Sequence, residues 1–149
     1  MKKNLIILFL LIIFPIKAFA LIEVDITRGN LNPLPLAVSP LSIDDKSKTS
    51  FEKILKKENI GSEISIIVEN NLRTSGLFNP LSKDAFLQAP DIANLKPRFE
   101  DWNLIKAQAL ITGKVTYVNE KLRVEFRLWD ILAAKEMMAL AFTTVPSNW

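Results

Sequence analysis

The chain has 149 residues, with 19 Lys and Arg against 16 Asp and Glu, no histidine, no cysteine and four glycines. Without histidine or cysteine it lacks Ser-His-Asp and Cys-His nucleophile systems, the usual zinc ligand sets and any disulfide, and glycines at 29, 61, 76 and 113 are too scattered for a phosphate-cradling loop. The formal charge of +3 would favour nucleic acid only if the basic residues survive processing, and the first twenty residues decide that.

Those residues carry Lys2 and Lys3, an apolar run from Leu5 to Phe14, a break at Pro15, and then Ala18-Phe19-Ala20. The pattern predicts an export signal over residues 1–20, with Ala18 and Ala20 as the small residues that a signal peptidase needs and cleavage after Ala20. A membrane anchor is the rival reading, but Pro15 and Lys17 interrupt the run, which falls short of the ~20 apolar residues a span requires. No transmembrane span is expected after cleavage, and there is no cysteine to acylate. Lys2, Lys3 and Lys17 leave with the signal, so the mature chain balances 16 basic against 16 acidic residues. The nucleic-acid reading thereby loses its basic face. The remaining 129 residues suffice for one domain whose core needs no covalent staples.

The mature chain opens on Leu21, Ile22, Glu23, Val24, Asp25, Ile26, Thr27, Arg28, Gly29, Asn30, Leu31 and Asn32. Ile22, Val24 and Ile26 alternate with Glu23, Asp25 and Thr27, the pattern of a short amphipathic strand at a free end. Gly29 breaks it, and Pro33 and Pro35 separate it from the apolar run Leu36 to Val38. Two readings stand: an edge strand of the domain's own sheet, or a terminal strand that adds to the sheet of another protein. The organisation expected is a signal at 1–20, a partner-binding strand and linker at 21–35, and a folded domain at 36–149.

Residues 43 to 58 are charged and lysine-dense, with Phe51, Ile54 and Leu55 to bury, and read as an exposed connection holding a short helix. Gly61 to Ser75 reads as a helix, with Ser62 as cap, a stripe of Ile64, Ile67, Val68 and Leu72, and Gly76 as the stop. Leu77 to Leu81 reads as a short strand or turn ended by Pro80, Ser82 to Phe86 as a brief helix, and Pro90 to Pro97 as a connector. From Phe99 to Ala107 the apolar residues Phe99, Trp102 and Ile105 return at helical spacing.

The period then changes. Leu110 to Val118 is rich in β-branched residues, and Leu122, Val124, Phe126 and Leu128 alternate with Arg123, Glu125 and Arg127. With Asn119, Glu120 and Lys121 between them the two runs predict a hairpin. A turn through Ala133 and Ala134 leads to a third strand, Glu136 to Thr143, with Met138, Leu140 and Phe142 on one side, which makes a meander. Pro146-Ser147-Asn148-Trp149 has the character of a helix start, so the chain reads as the front part of a longer protein.

Little catalytic chemistry is available. The carboxylate pairs Asp44-Asp45 and Glu100-Asp101 are neighbours in sequence and point in different directions. Ser50-Phe51-Glu52-Lys53 matches S-x-x-K by letters, but the S-D-N and K-T-G partners of that chemistry are missing and Thr112-Gly113-Lys114 has the wrong order. Trp102 and Trp129 are expected in the core rather than as stacking platforms.

Taken together, Phe99-Glu100-Asp101-Trp102 with Ile105, the run AQALITGKV (Ala107 to Val115), LRVEFRLWD (Leu122 to Asp130), NLRTSGLFNPL (Asn71 to Leu81) and the closing VPSNW resemble the TolB N-terminal domain of the Tol-Pal system. The resemblance covers essentially the whole mature chain. It implies a three-layer α/β domain with a mixed five-stranded sheet and packed helices, similar to anticodon-binding domains, without a nucleic-acid role. It also implies a periplasmic, non-enzymatic adaptor without cofactor or metal, acting in outer-membrane maintenance and in constriction at cell division. The family's first mature residues bind the C-terminal domain of the inner-membrane protein TolA, which places the partner-binding site at Leu21 to Asn32. The family's main site for the lipoprotein Pal lies in a six-bladed β-propeller expected after this domain, so Pal binding is not expected of residues 1–149 alone. The alternatives are a stand-alone exported protein-binding domain with an unrelated envelope partner, and an exported serine hydrolase using Ser50 and Lys53.

Overall fold

The first strand, β1 (Leu34–Val38), is a short apolar run whose Leu36, Ala37 and Val38 are all fully buried, as expected of a strand covered on both faces. In the computed structural model, which describes residues 32–56 and 59–148, it lies inside the sheet. It runs parallel to β3 (Phe78–Pro80) on one side and to β4 (Ala109–Val118) on the other. Pro80 is tolerated because β3 is an edge strand, where a missing N–H leaves no ladder bond unmade. β4, β5 (Lys121–Asp130) and β6 (Lys135–Thr144) follow as an antiparallel meander, giving the order β3-β1-β4-β5-β6. The mixed five-stranded sheet is therefore present. A two-residue strand, β2 (Ser42–Ile43), adds to it by continuing the line of β1 along β4.

The break between β1 and β2 has a physical cause. Ser39 N still donates to Ile111 O at 2.9 Å, but Leu41 N turns aside to the carbonyl of Gly61 at 3.2 Å. Gly61 lies in the first turn of α2 (Ile60–Thr74), and a side chain there would collide with the Leu41 carbonyl oxygen. Glycine is what lets the helix start come this close to the sheet.

Residues 43 to 56 are more structured than the exposed connection with a short helix expected there. They hold Ile43 of β2 and an eleven-residue helix, α1 (Asp45–Leu55). Asp44 caps it, accepting from Ser47 N at 2.8 Å and from the Ser47 hydroxyl at 3.1 Å. That same hydroxyl accepts from Tyr117 N at 2.8 Å, which ties the helix start to β4. Ser47 and Phe51, four residues apart on one helical face, are buried, and the Phe51 ring meets Tyr117 edge-on at 6.1 Å. The lysines occupy the outward face, so charge density concealed an amphipathic helix. Ile54, expected inside, stands 51% exposed.

α2 also begins earlier than the Ser62 cap implied. Asn59 precedes it, and the amides of Ser62 and Glu63 return to the Asn59 carbonyl at 3.0 Å. Its end is as read, with Gly76 at φ +73°. Ile64, Val68 and Leu72 face the sheet, while Ile67 is 54% exposed. Ser82 leads into a single 3₁₀ turn, Lys83–Ala85. The expected connector contains a helix, α3 (Pro90–Leu95), with proline at its first position, where the missing N–H costs nothing.

α4 (Phe99–Leu104) ends in a Schellman arrangement: Lys106 takes φ +65°, its N–H donates to Asn103 O at 2.9 Å, and Ala107 N donates to Trp102 O at 3.1 Å. The hairpin turn of β4 and β5 places Asn119 and Glu120 at φ +52° and +60°, the signs required of a two-residue type I′ turn. α1 and α2 pack on one face of the sheet, against Val115, Leu122 and Leu36 among others. α4 packs on the other, where Trp102, Ala107, Leu110, Trp129 and Ile131 form one cluster. These are the three layers.

Candidate functional site

The sequence places the partner-binding residues at Leu21 to Asn32. Leu21 to Leu31 lie outside the described residues, as do the signal positions Ala18 and Ala20. Asn32 is described: it is exposed, outside any strand, and leads through Pro33 into β1. The chain thus meets the domain in the sheet interior, where Leu34 N donates to Leu77 O and Gln108 N to Pro35 O, both at 2.9 Å. It does so at the end of the sheet where β4 begins and β5 ends, since Ile131 N donates to Gln108 O at 3.0 Å. Leu104 of α4 and Leu132 after β5 are both strongly exposed.

The two sheet edges contrast. β3 is three residues long and carries Pro80, both devices that discourage pairing with another chain. β6 is ten residues long, and after Lys135 and Glu136 its remaining eight residues include no charge, glycine or proline. Its register sets Met138 beside Leu128, Leu140 beside Phe126 and Phe142 beside Val124. The expected apolar row is real, but Met138, Leu140 and Phe142 are 50%, 49% and 57% exposed. Between α2 and this row lies a groove of about 230 Å³, lined by Val68, Ile111, Phe126, Leu128, Met138 and Leu140. The opposite face of the same strands is charged, with Arg123 on Glu125 at 2.7 Å and Arg127 on Glu136 at 3.2 Å.

The sequence placed Met138, Leu140 and Phe142 on one side of β6 and left their burial open, because alternation reports which residues share a side and not whether a helix lies over that side. A usable signal was present in the lack of charge along β6, which marks an edge without the usual protection.

The letters that suggested chemistry have structural partners. Ser50, on α1, donates its hydroxyl proton to Lys46 O at 3.3 Å, and Lys53 stands exposed one turn further on. Asp45 pairs with Lys48 at 3.1 Å and Asp101 with Arg98 at 2.6 Å. Asp44 is spent on its cap. Burial pushes its carboxyl up, but the Ser47 hydrogen bonds, together with Lys114 at 4.0 Å, outweigh this and hold its pKa below the ordinary value. A cleft of about 540 Å³ opens beside it, bordered by Lys48, Asn59, Ser62 and Asp91. Among the described residues no group of His, Cys, Asp and Glu has the arrangement to hold a metal ion, and no helix is long and apolar enough to cross a membrane.

Trp102 and Trp129 are core residues. Trp102 Nε1 donates to Gln88 Oε1 at 2.6 Å, and Trp129 Nε1 to Thr112 Oγ1 at 2.9 Å. Phe86 and Phe99 cover them edge-on.

The fold is a three-layer α/β domain built around a mixed sheet, and its polar side chains serve caps, ion pairs and ring anchors. Residues 22–137 match the model of the TolB amino-terminal domain. The chain belongs to this family. It is 85% identical over 140 residues to the Tol-Pal system protein TolB of Pelagibacter ubique (strain HTCC1062), covering 94% of this chain and 31% of that protein. The chain therefore spans about a third of the length of that curated relative. Among solved structures it is similar to TolB from Acinetobacter baumannii, with TM-score 0.55 and 18% identity over 78% of this chain and 24% of that one. It is also similar to the LpoB C-terminal domain from Salmonella enterica, with TM-score 0.52 and 12% identity over 78% and 86%. At these identities the structural likenesses speak to the fold alone. The Pelagibacter ubique relative is by name a protein of the Tol-Pal system.

Proposed function

We propose that the mature protein is a periplasmic adaptor of the Tol-Pal system that offers its N-terminal residues Leu21 to Asn32 to the C-terminal domain of TolA, in support of outer-membrane integrity and of constriction during division. The observation that carries this reading is family membership over residues 22–137, joined to a sequence in which an alternating strand follows directly on a cleavable signal. In this reading residues 1–20 are removed, 21–35 are the binding strand and linker, and 36–149 are the domain that presents them.

The energetics favour a transient contact. Ile22, Val24 and Ile26 each contribute about 1.5 to 3 kcal/mol on full burial, while ordering six free residues costs about 1 to 2 kcal/mol apiece. The two nearly cancel, so backbone pairing supplies the margin and binding is reversible, of micromolar type. Pal binding belongs, on this reading, to longer members of the family.

The test is a calorimetric titration of processed protein with the TolA C-terminal domain, with and without residues 21–32. Loss of the heat signal on deletion is the expected result. Equal binding by the two forms would sink the site assignment.

A further inference from the structure

We draw no further inference here: the strongest candidate, the apolar face of β5 and β6 on which Met138, Leu140 and Phe142 stand half exposed beside α2, carries nothing further because nothing in the structure shows what covers it.

Discussion

The two halves of the sheet are built from similar residues and end in different states. Around β1 and the first half of β4, helices lie on both faces, and Ala37, Leu110 and Trp102 are at most 1% exposed. Around β5 and β6 the alternation is at least as regular, yet Phe142 and Leu140 stay about half exposed on one face and ion pairs line the other. Hydrophobic stabilisation scales with area removed from water. The same side chain is therefore worth about twice as much in the first half as in the second, and cover by a helix makes the difference.

Substitutions measure that difference. Trp102→Ala has the largest expected effect: it opens a cavity, removes the Phe86 ring contact and leaves Gln88 Oε1 with only the Arg98 amide. A loss of about 3 to 5 kcal/mol, read as a lower urea midpoint of the processed protein, follows from such truncations in cores. Gly113→Ala comes next. A side chain at that point of β4 would overlap the Glu125 carbonyl oxygen of β5 and press on Leu41. Because a backbone atom cannot give way as a side chain would, about 1 to 3 kcal/mol is expected, with wild-type secondary structure by circular dichroism.

Asp44→Ala should cost about 1 kcal/mol through loss of the α1 cap. The effect carries a pH signature. The folded carboxyl is held below its ordinary value of 3.8, so its stabilisation is fully present above that value and disappears as pH falls through the lowered folded pKa. Wild-type and Asp44→Ala unfolding curves should differ at pH 6 and converge toward pH 2. A gap that widens on acidification would contradict the cap's charge dependence. Leu140→Ser has the smallest expected effect, below about 1 kcal/mol, because half of the Leu140 surface is already in water. A cost like that of Trp102→Ala would show that the β6 face is covered in solution and would erase the contrast between the halves.

Legibility followed the range of the interactions. The β4–β5 hairpin was readable because its determinants are local: strict alternation from Leu122 to Leu128 and a short polar turn at Asn119 and Glu120. Trp102 and Trp129 were recognised as core from size alone. α1 was expected as a short helix in an exposed connection, and its eleven-residue length and packing were under-read because a dense lysine run masks a narrow buried stripe and because the Ser47 to Tyr117 hydrogen bond links residues 70 positions apart. The helix read from Gly61 begins one residue earlier, at Ile60 with Asn59 rather than Ser62 at the cap position, and the close approach of the Leu41 carbonyl to Gly61 is a contact between distant segments that periodicity does not report. Of the candidate site, only Asn32 falls among the described residues, so the binding strand rests on pattern and family.

The sequence by itself determined the helix and strand periods, the family resemblance and the absence of histidine and cysteine chemistry, which are read from composition and from neighbours within a few residues. Only the tertiary structure decided that β2 continues β1, that the lysine-rich run is a packed helix, and that the apolar row of β6 remains half exposed. Period tells which side chains share a face, whereas burial depends on whether a distant segment comes to lie over that face.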